Sequence, residues 1–464
     1  MTEILAATIG KPMPTQPLLL SPPTYCNECG AKKFSFESLH FCCDNGDISI
    51  VANEYPPELV RLFTAKDEDA VNFRKYARLY NNLFAFSSIG GKTDRETYKG
   101  IYVFKLHGQI YHSVPDLLPD ENGPKYLQLY FYDGQIELEH RINCFSELRQ
   151  DVIDILMRVT ENNPYARFFR SLKEVNVNET TNIIINSNTV PDQRVYNAPI
   201  SVEVAVIWPD SVSSSHSSWP HILVTAKSAK SHRIAHYYGC YDPLQYPLLF
   251  PKGECGWNQG LKKISHGGDR QIASELDPIQ SCAVHITEDF LDAEETRKYL
   301  QLSDVSARRR KTKADRYISA REYYAYKLQI RVGNMLLRAS RAFLQYITDK
   351  YIKVENTRLD FFRQNQDTIR DDLYKGILDT VQSGETSAAN VGHKFILPPS
   401  FIGGPHDMKR RYLNTMALVQ KYGKPDLFVT MTCKANWAEI KAELELGETA
   451  QDRPDLVLEF SEQS

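Results

Sequence analysis

The 464 residues exceed what a single hydrophobic core usually organises and, at roughly 150 residues per domain, point to about three domains. A hydrophobic fraction of 42% beside 24% charged residues excludes a fully disordered or fibrous chain. Lys and Arg number 55 against 58 Asp and Glu, a net charge of -3, which excludes whole-molecule attraction to a polyanion and leaves any such site local.

No run of 18 or more apolar residues occurs, so no segment reads as a membrane span. Glu3 and the lack of an early Lys or Arg before the first apolar stretch give the wrong order for a secretory signal, and an intracellular protein is expected. Nine cysteines, odd in number and unevenly spread, do not make the framework of a small disulfide domain; thiol or metal chemistry is the expectation.

In chain order, residues 1–23 hold Pro12, Pro14, Pro17, Pro22 and Pro23 without periodicity and read as a disordered leader. The next segment places four cysteines within 18 residues: Cys26-Asn-Glu-Cys29, a gap of twelve, then Cys42-Cys43, with His40 two positions before Cys42. Zinc takes about four soft ligands in a tetrahedron, and one Cys-x-x-Cys turn supplies two of them. On an extended backbone the adjacent Cys42 and Cys43 point apart, so His40 with Cys42, or Cys43 with one neighbour, completes the set; buried free thiols are the metal-free alternative.

Phe73, Tyr76, Ala77, Tyr80 and Leu83-Phe84 fall at helical spacing and predict one short amphipathic helix within 71–86. Alternation over 100–114, and a similar apolar run over Tyr126–Phe131, predict strands. Residues 24–135 therefore read as a Cys-knuckle and mixed α/β module, followed by a helix- and strand-rich middle over 136–257. In that middle, Glu137–Val159 keeps helical spacing until Asn163-Pro164 breaks it, and IIIN (183–186), VEVAVIWP (202–209) and ILVTA (222–226) read as strands. The prolines of YDPLQYPLLFP (Tyr241–Pro251) forbid both a regular helix and a central strand. Residues 258–304 are polar, weakly periodic, and read as a loop or insertion.

Charge concentrates next, in a basic helical region over 305–395. Between Val305 and Gln345 eleven Lys or Arg meet two acids, Asp315 and Glu322, a local +9. The run Arg308, Arg309, Arg310 and Lys311 precedes a capping box, Ser319-Ala-Arg-Glu322, after which helical periodicity continues for about ten turns. Lys327, Arg331, Asn334, Arg338, Arg341 and Gln345 share one face of such a helix, and Ile330, Leu337, Leu344 and Tyr351 repeat every seven residues beside it. A basic face of this kind neutralises successive phosphates, and Tyr323, Tyr324 and Tyr326 stand where they can stack bases. A solvated face and core tyrosines are the plainer alternative.

Several strings together resemble the Helitron helicase-like amino-terminal region of eukaryotic rolling-circle transposons: CNECGAKKFSFESLHFCCDNGDI (Cys26–Ile48), FRKYARLYNNLFAFSSIG (Phe73–Gly90), GQIYHSVPDLLP (Gly108–Pro119), YDPLQYPLLFPKGECGW (Tyr241–Trp257), REYYAYKLQIR (Arg321–Arg331), LPPSFIGGPHDMKRRYLNTMALVQKYGKPDLFVTMTCKANWAEI (Leu397–Ile440) and DRPDL (Asp452–Leu456). The resemblance implies a Rep-type endonuclease of the HUH class joined to a DNA helicase, with divalent metal and ATP as cofactors of the full-length family, single-stranded DNA as partner and the nucleus as location. The stretch Phe428–Trp437 is similar to the first Rep motif and carries Thr430, Thr432, Asn436 and Trp437, although Ala435-Asn436 departs from the usual Asn-Pro order; alternation over 427–432 independently predicts a strand, with a helix starting near Ala435.

The second motif, His-x-His, does not occur. Tyr323 and Lys327 have the spacing of the family's tyrosine motif but precede the first motif, Gly91-Lys92-Thr93 has Phe86 where a phosphate loop needs Gly, and His232 with His236 lacks a metalloprotease Glu. No catalytic residue is assigned. The expected fold is α+β and multi-domain: a small Cys-rich module, a mixed middle, a long basic helix, and over 396–464 the truncated start of an HUH-type α/β sheet. The expected function is that of a DNA-binding amino-terminal fragment of a Rep/helicase, the alternatives being a retained non-catalytic DNA-binding protein and an inert relic.

Overall fold

A computed structural model describes residues 23–34, 37–38, 40–98, 101–174, 181–186, 205–208, 221–226, 232–264, 317–364, 397–398, 401–426, 437–444, 448–450 and 453–463. Helices and small antiparallel sheets share these residues, an α+β composition. The expectations resting on residues 1–22, on 265–304, on Arg308–Lys311 and on the strand over 427–432 with Thr430, Thr432 and Asn436 lie outside them.

A two-residue ladder, β1 (Thr24–Tyr25) with β2 (Lys32–Lys33), frames the first cysteine pair. Helices α1 (Pro57–Thr64), α2 (Glu68–Lys75) and α3 (Ala77–Phe84) follow. Pro57 suits the first turn of α1, where its missing N–H has no helical partner, and the Asp67 carboxylate caps α2 by accepting from the Ala70 N–H at 3.0 Å. The single helix expected over 71–86 is thus two, parted at Tyr76, whose φ of -112° and ψ of 21° leave the helical region. Strands β3 (Ser88–Tyr98) and β4 (Ile101–Val114) form a long antiparallel hairpin, paired from Ser88↔Ser113 at its base to Tyr98↔Ile101, with a shift of register between Gly90 and Lys92.

Tyr126–Phe131 is a 3-10 turn, not the strand expected from its apolar run. Gln128 explains the difference: its amide donates to the Asp116 and Leu118 carbonyls at 2.7 and 3.1 Å and accepts from the Lys125 N–H at 2.9 Å, so side-chain bonds take the place of a ladder. The helical spacing read over 137–159 divides into α4 (Gly134–Cys144) and α5 (Gln150–Thr160). Helix α6 (Pro164–Ser171) begins where the Asn163-Pro164 break was read, with the Asn163 side chain accepting from the Tyr165 and Ala166 N–H groups. The predicted middle strands are present as β5 (Asn182–Asn186), β6 (Ala205–Trp208) and β7 (His221–Thr225), one antiparallel sheet in the order β6-β5-β7. A short β8 (His232–Ile234) extends the hairpin's base through His112↔Ile234.

The Tyr241–Pro251 segment folds as one turn of helix, α7 (Tyr241–Gln245), followed by tight turns, and every residue from Tyr241 to Pro251 is buried. The long basic helix is not continuous. Helix α8 (Ala320–Lys327) stops after two turns, a 3-10 turn covers Leu336–Arg338, and α9 (Ser340–Gln364) starts anew. Asn334 holds the interruption open: its side-chain amide donates at 2.9 Å to the carbonyls of Lys327 and Gln329, which a continuing helix would have used, while Gly333 adopts φ +80°. Beyond lie α10 (Pro405–Tyr422), α11 (Ala438–Glu443), which begins beside Trp437, and α12 (Pro454–Gln463).

The break rotates α9 away from the expected seven-residue stripe. Leu344 and Tyr351 are exposed, and the buried stripe runs through Ala342, Tyr346, Asp349, Lys353 and Asn356 instead. One contiguous core extends from Ile48 through α6, β5, β7 and the Tyr241–Pro251 turns to Tyr346. No helix among the described residues is long and apolar enough to cross a membrane.

Candidate metal centre

Two tight turns converge at the amino-terminal end. In the first, the Cys26 N–H donates to Ala31 and the Gly30 N–H to Cys26, both at 2.9 Å, curling Cys26 and Cys29 around one point. In the second, the Asp44 N–H donates to His40 at 2.8 Å and the Gly46 N–H to the Cys43 sulfur at 3.3 Å. The backbone around Cys42-Cys43 is therefore a turn and not extended, so adjacent side chains that would diverge on a strand point the same way. All four sulfurs lie within 4.8 Å of one another, Cys26 to Cys43 at 3.7 Å and Cys42 to Cys43 at 3.9 Å. The set contains both adjacent cysteines and leaves out the exposed His40.

These separations fit a tetrahedral metal. A zinc–sulfur bond of about 2.3 Å in a regular tetrahedron places sulfurs about 3.8 Å apart. All four are free thiols, too distant for disulfides. Burial opposes the Cys26 thiolate, yet the N–H groups of Cys29 and Glu28 hold its pKa down at about 7; burial and the neighbouring sulfurs push Cys43 up to about 12 and Cys42 upward likewise. Four thiolates this close together need a cation between them, and the cluster can hold a metal such as zinc with no open position for a reacting molecule.

Arg331, assigned from helical spacing to a phosphate-binding face, belongs to this centre. Its guanidinium donates to the Cys29 sulfur and the Cys42 carbonyl, each at 3.2 Å, and lies 3.8 Å from the centre of the Tyr326 ring. A positive charge thus faces the sulfurs, where it offsets the net negative charge of a four-thiolate zinc site. The Lys32 N–H donates to Ile330 at 2.9 Å and the Lys32 ammonium pairs with Glu459 at 3.2 Å, so the knuckle is clasped from both later segments.

The remaining members of the predicted basic face are dispersed. Lys327 is buried, donates to the Val51 carbonyl at 3.1 Å and Asn53 at 2.8 Å, and has its pKa lowered by burial to about 8. Arg338 pairs with Glu448. Arg341, with Gln345 beside it, faces an open cleft. Tyr323 and Tyr324, expected as stacking platforms, are buried, their hydroxyls donating to the Cys255 carbonyl and the Asp242 carboxylate. Trp437 is half-buried against a small cluster with Ile440 and Phe460.

A second concentration of chemistry was invisible to spacing arguments because it joins α7 to α9. Asp242, fully buried, accepts from Lys350 at 2.7 Å, Lys353 at 3.3 Å and the Tyr324 hydroxyl at 2.9 Å. Lys350 also pairs with Asp349 at 2.9 Å, which meets His112 at 3.1 Å, whose ring stacks on Tyr241 at 3.7 Å. Burial raises the Asp242 pKa, but the two lysines more than offset it and the net shift is downward. Two carboxylates balance two ammonium groups. Enclosed by Tyr241, Tyr246, Tyr346 and Trp257, the network fastens α9 to the Tyr241–Pro251 turns.

Residues 323–463 match the family described as the Helitron helicase-like domain at the N-terminus. That stretch, from Tyr323 of α8 to the end of α12, is a Helitron helicase-like N-terminal domain. The cysteine knuckle and the Tyr241–Trp257 string lie ahead of it. A search of curated proteins finds no match.

Proposed function

We infer that this chain works on DNA as a Helitron-type protein of rolling-circle transposition and holds single-stranded DNA. The observation that carries the reading is the Helitron helicase-like stretch over 323–463. One zinc held by Cys26, Cys29, Cys42 and Cys43 would be structural, fixing the knuckle against Tyr326–Arg331. Such a protein acts in the nucleus.

Fluorescence anisotropy with a labelled oligonucleotide tests the reading. Binding should weaken with salt along a straight log–log line, as counterion release requires. Affinity indifferent to salt, or no binding at all, removes it.

A further inference from the structure

A cleft of about 830 Å³ opens between α2 and α3 on one side and the first turns of α9 on the other, closed at one end by the base of the β3–β4 hairpin. We propose that it is a binding site for a single-stranded polynucleotide, with phosphates on Lys75, Arg78 and Arg341 and a base against Tyr76 and Leu344. The proposal rests on the DNA-binding reading above and gives it a location.

Charge comes first. Lys75 and Arg78 are exposed, Arg341 is half-exposed, and among the described residues no carboxylate pairs with any of the three. Elsewhere Arg61, Arg149, Arg170, Arg338, Lys350 and Lys353 have carboxylate partners. The one acid on the cleft wall, Asp349, is buried and paired with the Lys350 ammonium and the His112 ring. Cations on a concave wall focus their field into the opening, so the potential there is positive although the whole chain is not.

Shape and chemistry narrow the ligand. Arg341 donates to the Lys75 carbonyl at 3.2 Å, bridging the two walls, and has further N–H groups to offer. The Lys75 ammonium stands 4.9 Å from the centre of the Tyr76 ring, which puts a cation and a stacking surface within one nucleotide's reach. Leu344, an exposed apolar side chain on a charged helix, and the Gln345 amide complete that wall. A free phosphate would use the cations and leave the apolar surface wet. A duplex presents its phosphates but keeps its bases stacked inside. A single strand uses both, since unstacked bases have free faces and each stack on an aromatic ring contributes about 1 to 3 kcal/mol.

Three phosphate contacts on a single strand give a log–log salt slope of about -2, so affinity falls about 20-fold between about 50 and 200 mM salt. The experiment is anisotropy on the whole chain with oligo-dT, oligo-U and a DNA duplex. Lys75→Glu with Arg78→Glu and Arg341→Glu should weaken binding and flatten the slope, and Tyr76→Leu should weaken it with the slope unchanged while Tyr76→Phe binds as the parent does. An unchanged melting transition shows that the variants fold, and a photo-cross-link from iodouracil to Tyr76 reports the site without any substitution. Where the charge-reversed variant binds more weakly with a flatter slope, preference for oligo-dT supports the cleft and the DNA reading together, and preference for oligo-U supports the cleft and removes DNA as its occupant. If the parent binds oligo-dT and the charge-reversed variant binds with the same slope, the cleft is wrong and the DNA reading stands. A duplex bound as tightly as the single strand, with Tyr76→Leu silent, overturns the single-strand site. No binding of any polynucleotide by the parent overturns both.

Discussion

Asp242 shows how much can depend on one carboxylate. It is the common acceptor for Lys350, Lys353 and Tyr324, and removing one partner from a buried ion network strands the others. Asp242→Asn should therefore lower stability by about 3 to 5 kcal/mol in urea unfolding, and Lys353→Met by less, because Lys350 still answers the charge. Gly256 packs so closely that a Cβ there would meet the Asp242 carboxylate at 2.4 Å, so Gly256→Ala should disturb the same network and share its loss of stability. At the cysteines, Cys26→Ser or Cys43→Ser should abolish stoichiometric zinc measured on purified protein, and chelation should lower the parent's melting temperature; zinc retained by either variant would refute the four-sulfur site. The four cysteines of the cluster were legible as candidates because Cys-x-x-Cys spacing is local chemistry. Which of the adjacent pair contributes was not, since that depends on a turn whose backbone bonds run from Asp44 to His40 and from Gly46 to Cys43.

At the scale of elements, the reading succeeded where pattern and packing agree. The three isoleucine- and valine-rich strands of the middle sheet, the β4 strand and the Asn163-Pro164 helix start all follow from local preference. It failed where one polar side chain redirects the backbone. Gln128 turns an apolar run into a 3-10 turn, and Asn334 ends a helix whose hydrophobic spacing continues past it. Helical-face arithmetic carried through that break put Lys327, Arg331, Arg338 and Arg341 on one surface, whereas they occupy four different environments. Asn334→Leu should leave the two carbonyls without their donor and cost about 1 to 3 kcal/mol. Circular dichroism decides the alternative: a gain in helix with no loss of stability would mean that the break is not held by this amide.

For the molecule as a whole, buried ionisable groups make stability depend on pH in opposing ways. Burial raises the Glu254 pKa from 4.5 to about 7, so the folded state holds a proton that the unfolded state has released, and this contribution is lost as pH rises from 4.5 through 7. His236, lowered by burial to about 4, acts the other way: below its unfolded value the unfolded state takes up a proton first, and stability falls as the solution is acidified. Glu254→Gln should match the parent at pH 4 and exceed it by about 3 kcal/mol above pH 7, a widening gap that urea titrations across pH will show or deny. The opening charge balance concealed all of this, because composition counts charges and says nothing of which are enclosed. The clasp on the cysteine knuckle has a temporal side as well. Arg331 follows Cys29 by 302 positions and Glu459 follows Lys32 by 427, so the ribosome delivers the cysteines long before the residues that seat them. At about 5 to 20 residues per second the first partner arrives roughly 15 to 60 seconds later. Through that interval the nascent thiols must be kept reduced or already hold their metal, which makes the supply of zinc during synthesis, and not only afterwards, a determinant of how much correctly assembled protein a cell obtains.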